Sequence, residues 1–223
     1  VTVKDMGEGR RGARLDSTAD FARSPDVPDH PALFKRPVLL IVGCGDIGLR
    51  VARLVRARWR VLALTSSVGR VAMLRSAGVV PLQGNLDSPQ TLARLADLAD
   101  AVLHLAPPAN AGTQDTRTRN LVHALARSAR LRTLVYASTS GVYGDAAGAW
   151  VDETRALRPA TARARRRVDA EDSLRRFGRQ SGVRVTLLRV PGIYALDRAG
   201  GDPRERLVRG TALLAAEDDV FTN

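Results

Sequence analysis

With 223 residues the chain can form one sizeable α/β domain with a buried core, and at 44% hydrophobic but only 4% aromatic residues that core must be aliphatic. A net charge of +12 suggests an acidic partner, but all of the 35 basic residues except Lys4 and Lys35 are Arg, scattered over every predicted helix in a chain with few of the aromatics that a nucleic-acid surface usually sets among its basic residues, which argues against such a surface. The lone Cys44 excludes an intrachain disulfide and a multi-Cys metal site, and no apolar run approaches the roughly 18 residues that span a bilayer, so the expectation is a cytoplasmic protein with no metal and no membrane contact.

Residues 1–36 are polar, charged and unpatterned and predict a disordered N-terminal extension. From Pro37 onward, short apolar runs alternate with helical patterns. The runs at 38–42, 60–64, 79–82, 101–105, 133–137 and 183–189 are apolar on both faces, as strands of a covered parallel sheet must be. Helical patterns fall near 46–58, 68–77, 89–98, 114–129 and 160–180, the third opening on Ser-Pro. This alternation predicts an α/β fold with a doubly wound parallel sheet and right-handed crossovers. The last residues, 196–223, read as the start of a further segment.

The first strand runs into "IVGCGDIGLRVARLV", where Gly43, Gly45 and Gly48 have G-x-G-x-x-G spacing. Gly43 permits a tight turn, Gly45 lets a pyrophosphate approach the backbone, and Gly48 lets the helix pack on the strand. Asp46 and Ile47 complete the turn into a helix whose N-terminus offers free N–H groups and a positive dipole end. A glycine-rich turn that binds nothing is the alternative. Cys44, inside the turn, reads as a small filler rather than a redox thiol. At the end of the second strand Thr65 and Ser66 stand where a carboxylate would bind the ribose 2′-OH of NAD, and Arg70 follows. Hydroxyls and an Arg suit a 2′-phosphate, which favours NADP over NAD, unless Arg70 is an ordinary solvated residue.

Further motifs follow in order: "QGNLDSPQTL", "VLHLAPP", "TRTRNLVHAL", "LVYASTSGVYGD", "VDETRALRP" and "LLRVPGIYALDR". Their order and spacing over about 37–195 resemble the extended short-chain dehydrogenase/reductases, the NAD-dependent epimerase/dehydratase family, with an opening closer to the atypical members. Together with the glycine loop, the resemblance implies a Rossmann domain over 37–195 with strand order 3-2-1-4-5-6, and it makes 196–223 the beginning of an incomplete substrate-binding region. The resemblance implies that Asn85 and Leu86 contact adenine, Asn85 replacing the usual Asp. It implies that Leu105, Ala106 and Pro107 line the cofactor, that Thr139 hydrogen-bonds a substrate oxygen, and that Pro191 to Ile193 lie beside the nicotinamide. The apolar members are also plausible core, and Ser138, Thr139 and Ser140 also suit a strand-end cap. His104, in an apolar strand, reads as a satisfied core residue.

The family's Tyr-x-x-x-Lys pair is missing. Counting back from Glu171, its places hold Arg163 and Arg167, and no lysine follows Lys35 in any register. Arg167 can still donate to a ribose, whereas Arg163 is no acid near neutral pH. Ala170, Leu174 and Phe177, at i, i+4 and i+7, predict the buried face of this helix. That leaves Arg165 and Arg166 to solvent and Arg167 open between solvent and the cofactor. Two readings result: an NAD(P)-dependent oxidoreductase or epimerase acting on a small carbonyl or hydroxyl substrate, or a dinucleotide-binding sensor or scaffold without catalysis. The oligomeric state stays open.

Overall fold

The computed structural model describes residues 36–198 and 202–208. The extension expected over 1–36 lies, but for Arg36, outside the described residues, as does most of 196–223. Six strands form one sheet: β1 (Val38–Val42), β2 (Arg60–Thr65), β3 (Val80–Gln83), β4 (Ala101–His104), β5 (Thr133–Thr139) and β6 (Arg184–Val190). Their order is β3-β2-β1-β4-β5-β6, as expected of a Rossmann domain, with every neighbouring pair parallel, as the alternating pattern predicts.

Because side chains alternate along a strand, one strand feeds two cores. Leu40 and Val42 of β1, with Leu62 and Leu64 of β2, join Val102, Leu134 and Tyr136 on one face. That face is covered by α3 (Thr116–Leu125), through Leu121 and Leu125, and by α4 (Ala162–Ser181), through Ala170, Leu174 and Phe177. Leu39, Ile41, Val61 and Ala63 face the other way, against Ala52 of α1 (Asp46–Val55) and Leu74 of α2 (Val71–Ser76). Layers on both faces explain why these strands read as continuous apolar runs. A short α5 (Pro203–Val208) follows β6.

The segment expected to be helical at 89–98 is instead a 3₁₀ helix, Pro89–Leu95. Its two fully buried leucines, Leu92 and Leu95, are three residues apart and eclipse on one face at three residues per turn. Helix starts follow local chemistry. Asp115 accepts from the backbone N–H of Thr118 at the start of α3, and Thr161 from that of Ala164 at the start of α4.

Candidate functional site

The sheet places its first crossover reversal between β1 and β4, and the glycine loop sits in that notch. Both Leu105 and Ala106 donate backbone N–H bonds to Val42 O, at 2.7 and 3.0 Å, drawing the end of β4 over the loop. Gly43 has φ +88°, and a Cβ there would lie 2.4 Å from Ala106 N, so only glycine fits. Gly45 is the opposite case, with open space where its Cβ would be. At Gly48 a Cβ would meet Cys44 Sγ and Ile41 Cγ2 at 3.2 Å, where α1 packs against β1. A turn open above Gly45, followed by a helix N-terminus, fits the phosphates of a dinucleotide. Asp46, in the first turn of α1, is paired with Arg50 at 3.0 Å and Arg198 at 3.2 Å. Ile47 is the half-buried residue that follows it in the same turn. Burial pushes the Cys44 thiol up, against a smaller opposing pull from Arg70, which suits a packed filler rather than a thiolate.

A cleft of ≈ 240 Å³ opens beside the loop, lined by Gly43, Ser66, Asn85, Leu86 and Ala106 together with Asp87 and Arg117. The structure thus brings together residues of four separate segments that sequence reasoning assigned to one nucleotide. Thr65 Oγ1 accepts from Ser67 N at 3.2 Å, closing the turn after β2. Arg70 reaches back across the notch and donates to Cys44 O at 2.7 Å. Leu105 is half-buried and Pro107 exposed at the cleft's margin. Arg117 was not anticipated. It donates two bonds to Asp87, at 2.8 and 2.7 Å, and a third to Pro107 O at 3.3 Å. Asp87 is held below its ordinary value chiefly by that hydrogen bonding, which outweighs the opposing cost of desolvation, with a lesser contribution from the charge of Arg117.

A second, larger cleft of ≈ 770 Å³ lies beyond the ends of β5 and β6, lined in part by Ser140, Tyr143, Trp150, Arg175, Arg189 and Pro191. Thr139 ends β5 opposite Val190, so it stands next to Pro191 across the ladder. Its Oγ1 accepts from Gly141 N at 3.2 Å, which leaves the hydroxyl proton to be donated elsewhere.

The arginines of α4 separate sharply. Arg163 and Arg165 are exposed. Arg166, expected in solvent, is 7% exposed and donates to Gly112 O at 2.7 Å. The loop between β4 and α3 covers this side of the helix, and the long aliphatic stem of an Arg buries well beneath such a loop. Arg167 is not solvated either. Its Nη1 donates to Tyr136 Oη at 2.9 Å and to Ala137 O at 2.8 Å, tying α4 to β5. Burial pushes Tyr136 up to about 12, partly offset by Arg167.

Beneath lies a buried polar row. The Thr118 hydroxyl donates to Asp115 at 2.7 Å, so its oxygen accepts the Nε2–H of His104 at 2.9 Å. His104 is fully buried, as expected of a core residue, but this bond meets only one of its ring nitrogens: Nδ1 is buried without a hydrogen-bond partner. Desolvation first, and then the Arg167 charge, push it down to about 3, so it is neutral.

Glu171 organises the wall of the large cleft. It is fully buried, accepts from Ser138 Oγ at 2.6 Å and Arg175 at 2.8 Å, and receives Arg189 Nη2 at 2.9 Å. Burial alone would raise its carboxyl, but the bonds from Arg189 and Ser138 outweigh that and hold it below the usual range. Arg189 in turn donates to Tyr143 Oη at 2.8 Å and lies 4.8 Å from the centre of the Tyr143 ring. The one signal in the sequence was an arginine inside the otherwise apolar run "VTLLRV". Among the described residues no group of His, Cys, Asp and Glu could hold a metal, and no helix is long and apolar enough to cross a membrane.

A family model for NAD(P)H-binding proteins matches residues 43–212. No curated protein matches the chain. Among solved structures, a conserved protein of unknown function from Silicibacter pomeroyi DSS is 30% identical with a TM-score of 0.58, over 71% of this chain and 54% of its own. UDP-glucuronic acid 4-epimerase from Bacillus cereus, in complex with UDP-glucuronic acid and NAD, is 21% identical with a TM-score of 0.62, over 77% of this chain and 63% of its own. A short-chain dehydrogenase/reductase superfamily protein from Agrobacterium tumefaciens with bound NAD is 22% identical with a TM-score of 0.59, over 70% of this chain and 49% of its own. The chain thus spans roughly half to two thirds of the length of these structures, and the last two share its fold.

Proposed function

The chain belongs to the NAD(P)H-binding family, and from that membership we propose that it is an NADP(H)-preferring oxidoreductase or epimerase acting on a carbonyl or hydroxyl group of a small molecule. The nicotinamide, when bound, supplies the hydride chemistry; the protein orients it and the substrate. The backbone N–H groups at Asp46, Ile47 and Gly48 face the pyrophosphate, and Gly45, whose own N–H is given to Gly43 O at 2.8 Å, leaves the space for it. Asn85 and Leu86, with Ala106 opposite, hold the adenine in the smaller cleft. Leu105 and Pro107 border the path to the nicotinamide, with Pro191 beside it. Thr139 donates its free hydroxyl proton to a substrate oxygen. Arg167 keeps its second terminal nitrogen for a ribose hydroxyl while its first ties down β5.

The observation that carries the cofactor preference is the placement of Arg70. It is half-buried, fixed to Cys44 O at 2.7 Å, and follows a strand that ends in Thr65 and Ser66 instead of a carboxylate. Asp87, the carboxylate lining this cleft, is neutralised by Arg117. A charged hydrogen bond to a 2′-phosphate is worth about 1.5–3 kcal/mol, or roughly ten- to a hundredfold in affinity. Dissociation constants for NADPH and NADH, with wild-type protein and Arg70→Met, test this. NADPH binds more tightly to wild type, and R70M loses most of the difference; tighter NADH binding to wild type refutes it.

One observation favours the second reading, a dinucleotide-binding sensor or scaffold. Arg163 is exposed and Arg167 is turned to β5, so neither family position carries a proton donor. NADPH binding without turnover across a panel of carbonyl compounds and nucleotide sugars selects that reading.

A further inference from the structure

Reducing a carbonyl leaves an alkoxide that needs a proton, and Arg163 cannot give one. The larger cleft holds few candidates. Arg175 and Arg189 do not release protons near neutral pH. Asp152 and Glu153 are exposed, and an ionised carboxylate only accepts. Asp152 is held further toward that form by bonds from Thr154. His104 is sealed in the core and does not line the cleft. Tyr143 differs from all of these. Its phenol oxygen already accepts the Arg189 Nη1 bond at 2.8 Å, so its own proton is directed elsewhere. The residue is 6% exposed, and it lines the cleft with Ser140 and Pro191, next to the place proposed for the nicotinamide.

We propose that Tyr143 is the catalytic acid of this cleft and that Arg189, clamped by Glu171, is its positioning residue, a proposal that rests on the oxidoreductase reading above. Tyr143 gives its proton to the carbonyl oxygen as the carbonyl carbon accepts a hydride from the reduced nicotinamide. The C=O π bond breaks and C–H and O–H bonds form. The substrate gains two electrons, the nicotinamide loses them, and the tyrosinate recovers its proton from water. The negative charge left on the phenolate lies 2.8 Å from a fixed guanidinium. That guanidinium cannot drift, because Glu171 receives both its Nε and Nη2, at 3.3 and 2.9 Å. The reverse reaction uses the same groups, with tyrosinate as base.

The test uses the full chain, with NADPH plus 4-nitrobenzaldehyde or 2,3-butanedione, and NADP⁺ plus UDP-glucuronic acid. Tyr143→Phe is expected to lower kcat by about 100-fold or more, the range of general acid catalysis, with the NADPH dissociation constant unchanged. Arg189→Met lowers kcat in the same way, and Arg189→Lys recovers part of it. A structure with NADPH bound gives a readout independent of turnover and of whether Y143F folds. A carbonyl about 3–3.5 Å from nicotinamide C4 and hydrogen-bonded to the phenol requires Oη within about 8 Å of C4. A longer distance overturns the proposal, as does Y143F turning over within threefold of wild type; in both cases the oxidoreductase reading survives. Wild-type protein that binds NADPH and turns over none of the probes overturns both.

Discussion

Replacing Glu171 by Gln removes one charge from a site where three side chains converge. In the native protein the carboxylate is fully buried, with Ser138 Oγ at 2.6 Å, Arg175 at 2.8 Å and Arg189 at 2.9 Å. An amide keeps the volume but offers one acceptor oxygen, and its NH₂ faces guanidinium donors. Arg189 is only 13% exposed, so its cation is left desolvated without a counter-charge. Breaking a buried pair from one side costs about 3–5 kcal/mol. For a domain of this size that is a fall in Tm of about 6–20 °C, read by circular dichroism at pH 7. The penalty also depends on pH with a definite sign. The folded carboxyl titrates below its ordinary 4.5, so its stabilisation is present above that pH and fades as pH falls through the folded value. The gap between wild type and E171Q therefore narrows below about pH 4.5. Replacing both partners by Met, in E171M/R189M, recovers stability relative to E171Q, because no charge is then stranded. A Tm within 2 °C of wild type for E171Q at pH 7 would show that water already reaches this pair.

The two glycines of the phosphate loop are expected to fail differently. Gly43→Ala drives a Cβ to 2.4 Å from Ala106 N at a positive φ, so it unfolds at markedly lower temperature as well as losing NADPH. Gly45→Asp meets nothing within 4 Å, so its Tm stays near wild type while NADPH affinity falls more than about tenfold through the added charge; equal Tm losses in both variants would contradict the loop geometry. His104 gives a pH signature at milder values. Its folded value lies near 3 and its unfolded value near 6.5, so the unfolded chain takes up the proton first and stability falls as pH drops below 6.5. Between pH 7 and pH 5 this amounts to about 2 kcal/mol in urea unfolding, a slope that His104→Gln should largely abolish.

Much of this protein was written in short-range patterns. Apolar residues on both faces of short runs, helical repeats between them and glycines at a set spacing depend only on the pitch of a strand, a helix and a turn. The six strands themselves, the glycine turn and the buried Ala170–Leu174–Phe177 stripe follow from such periods without reference to distant residues, whereas the order of the strands was legible only through the resemblance to a known family. Even the departure at 89–95 is a change of helical pitch around a leucine spacing already visible. The fate of the arginines had no such local marker. Arg163, Arg165, Arg166 and Arg167 are chemically identical neighbours on one helix, yet two are solvated and two are buried. What separates them is the Gly112 loop, 54 residues away from Arg166, and Tyr136, 31 residues from Arg167. Likewise Glu171 draws on Ser138 and Arg189, and Asp87 on Arg117, across separations of 18 to 33 residues. A cation accepts whichever carboxylate or carbonyl the packed elements bring within about 3 Å, and that choice exists only once the helices have closed on the sheet.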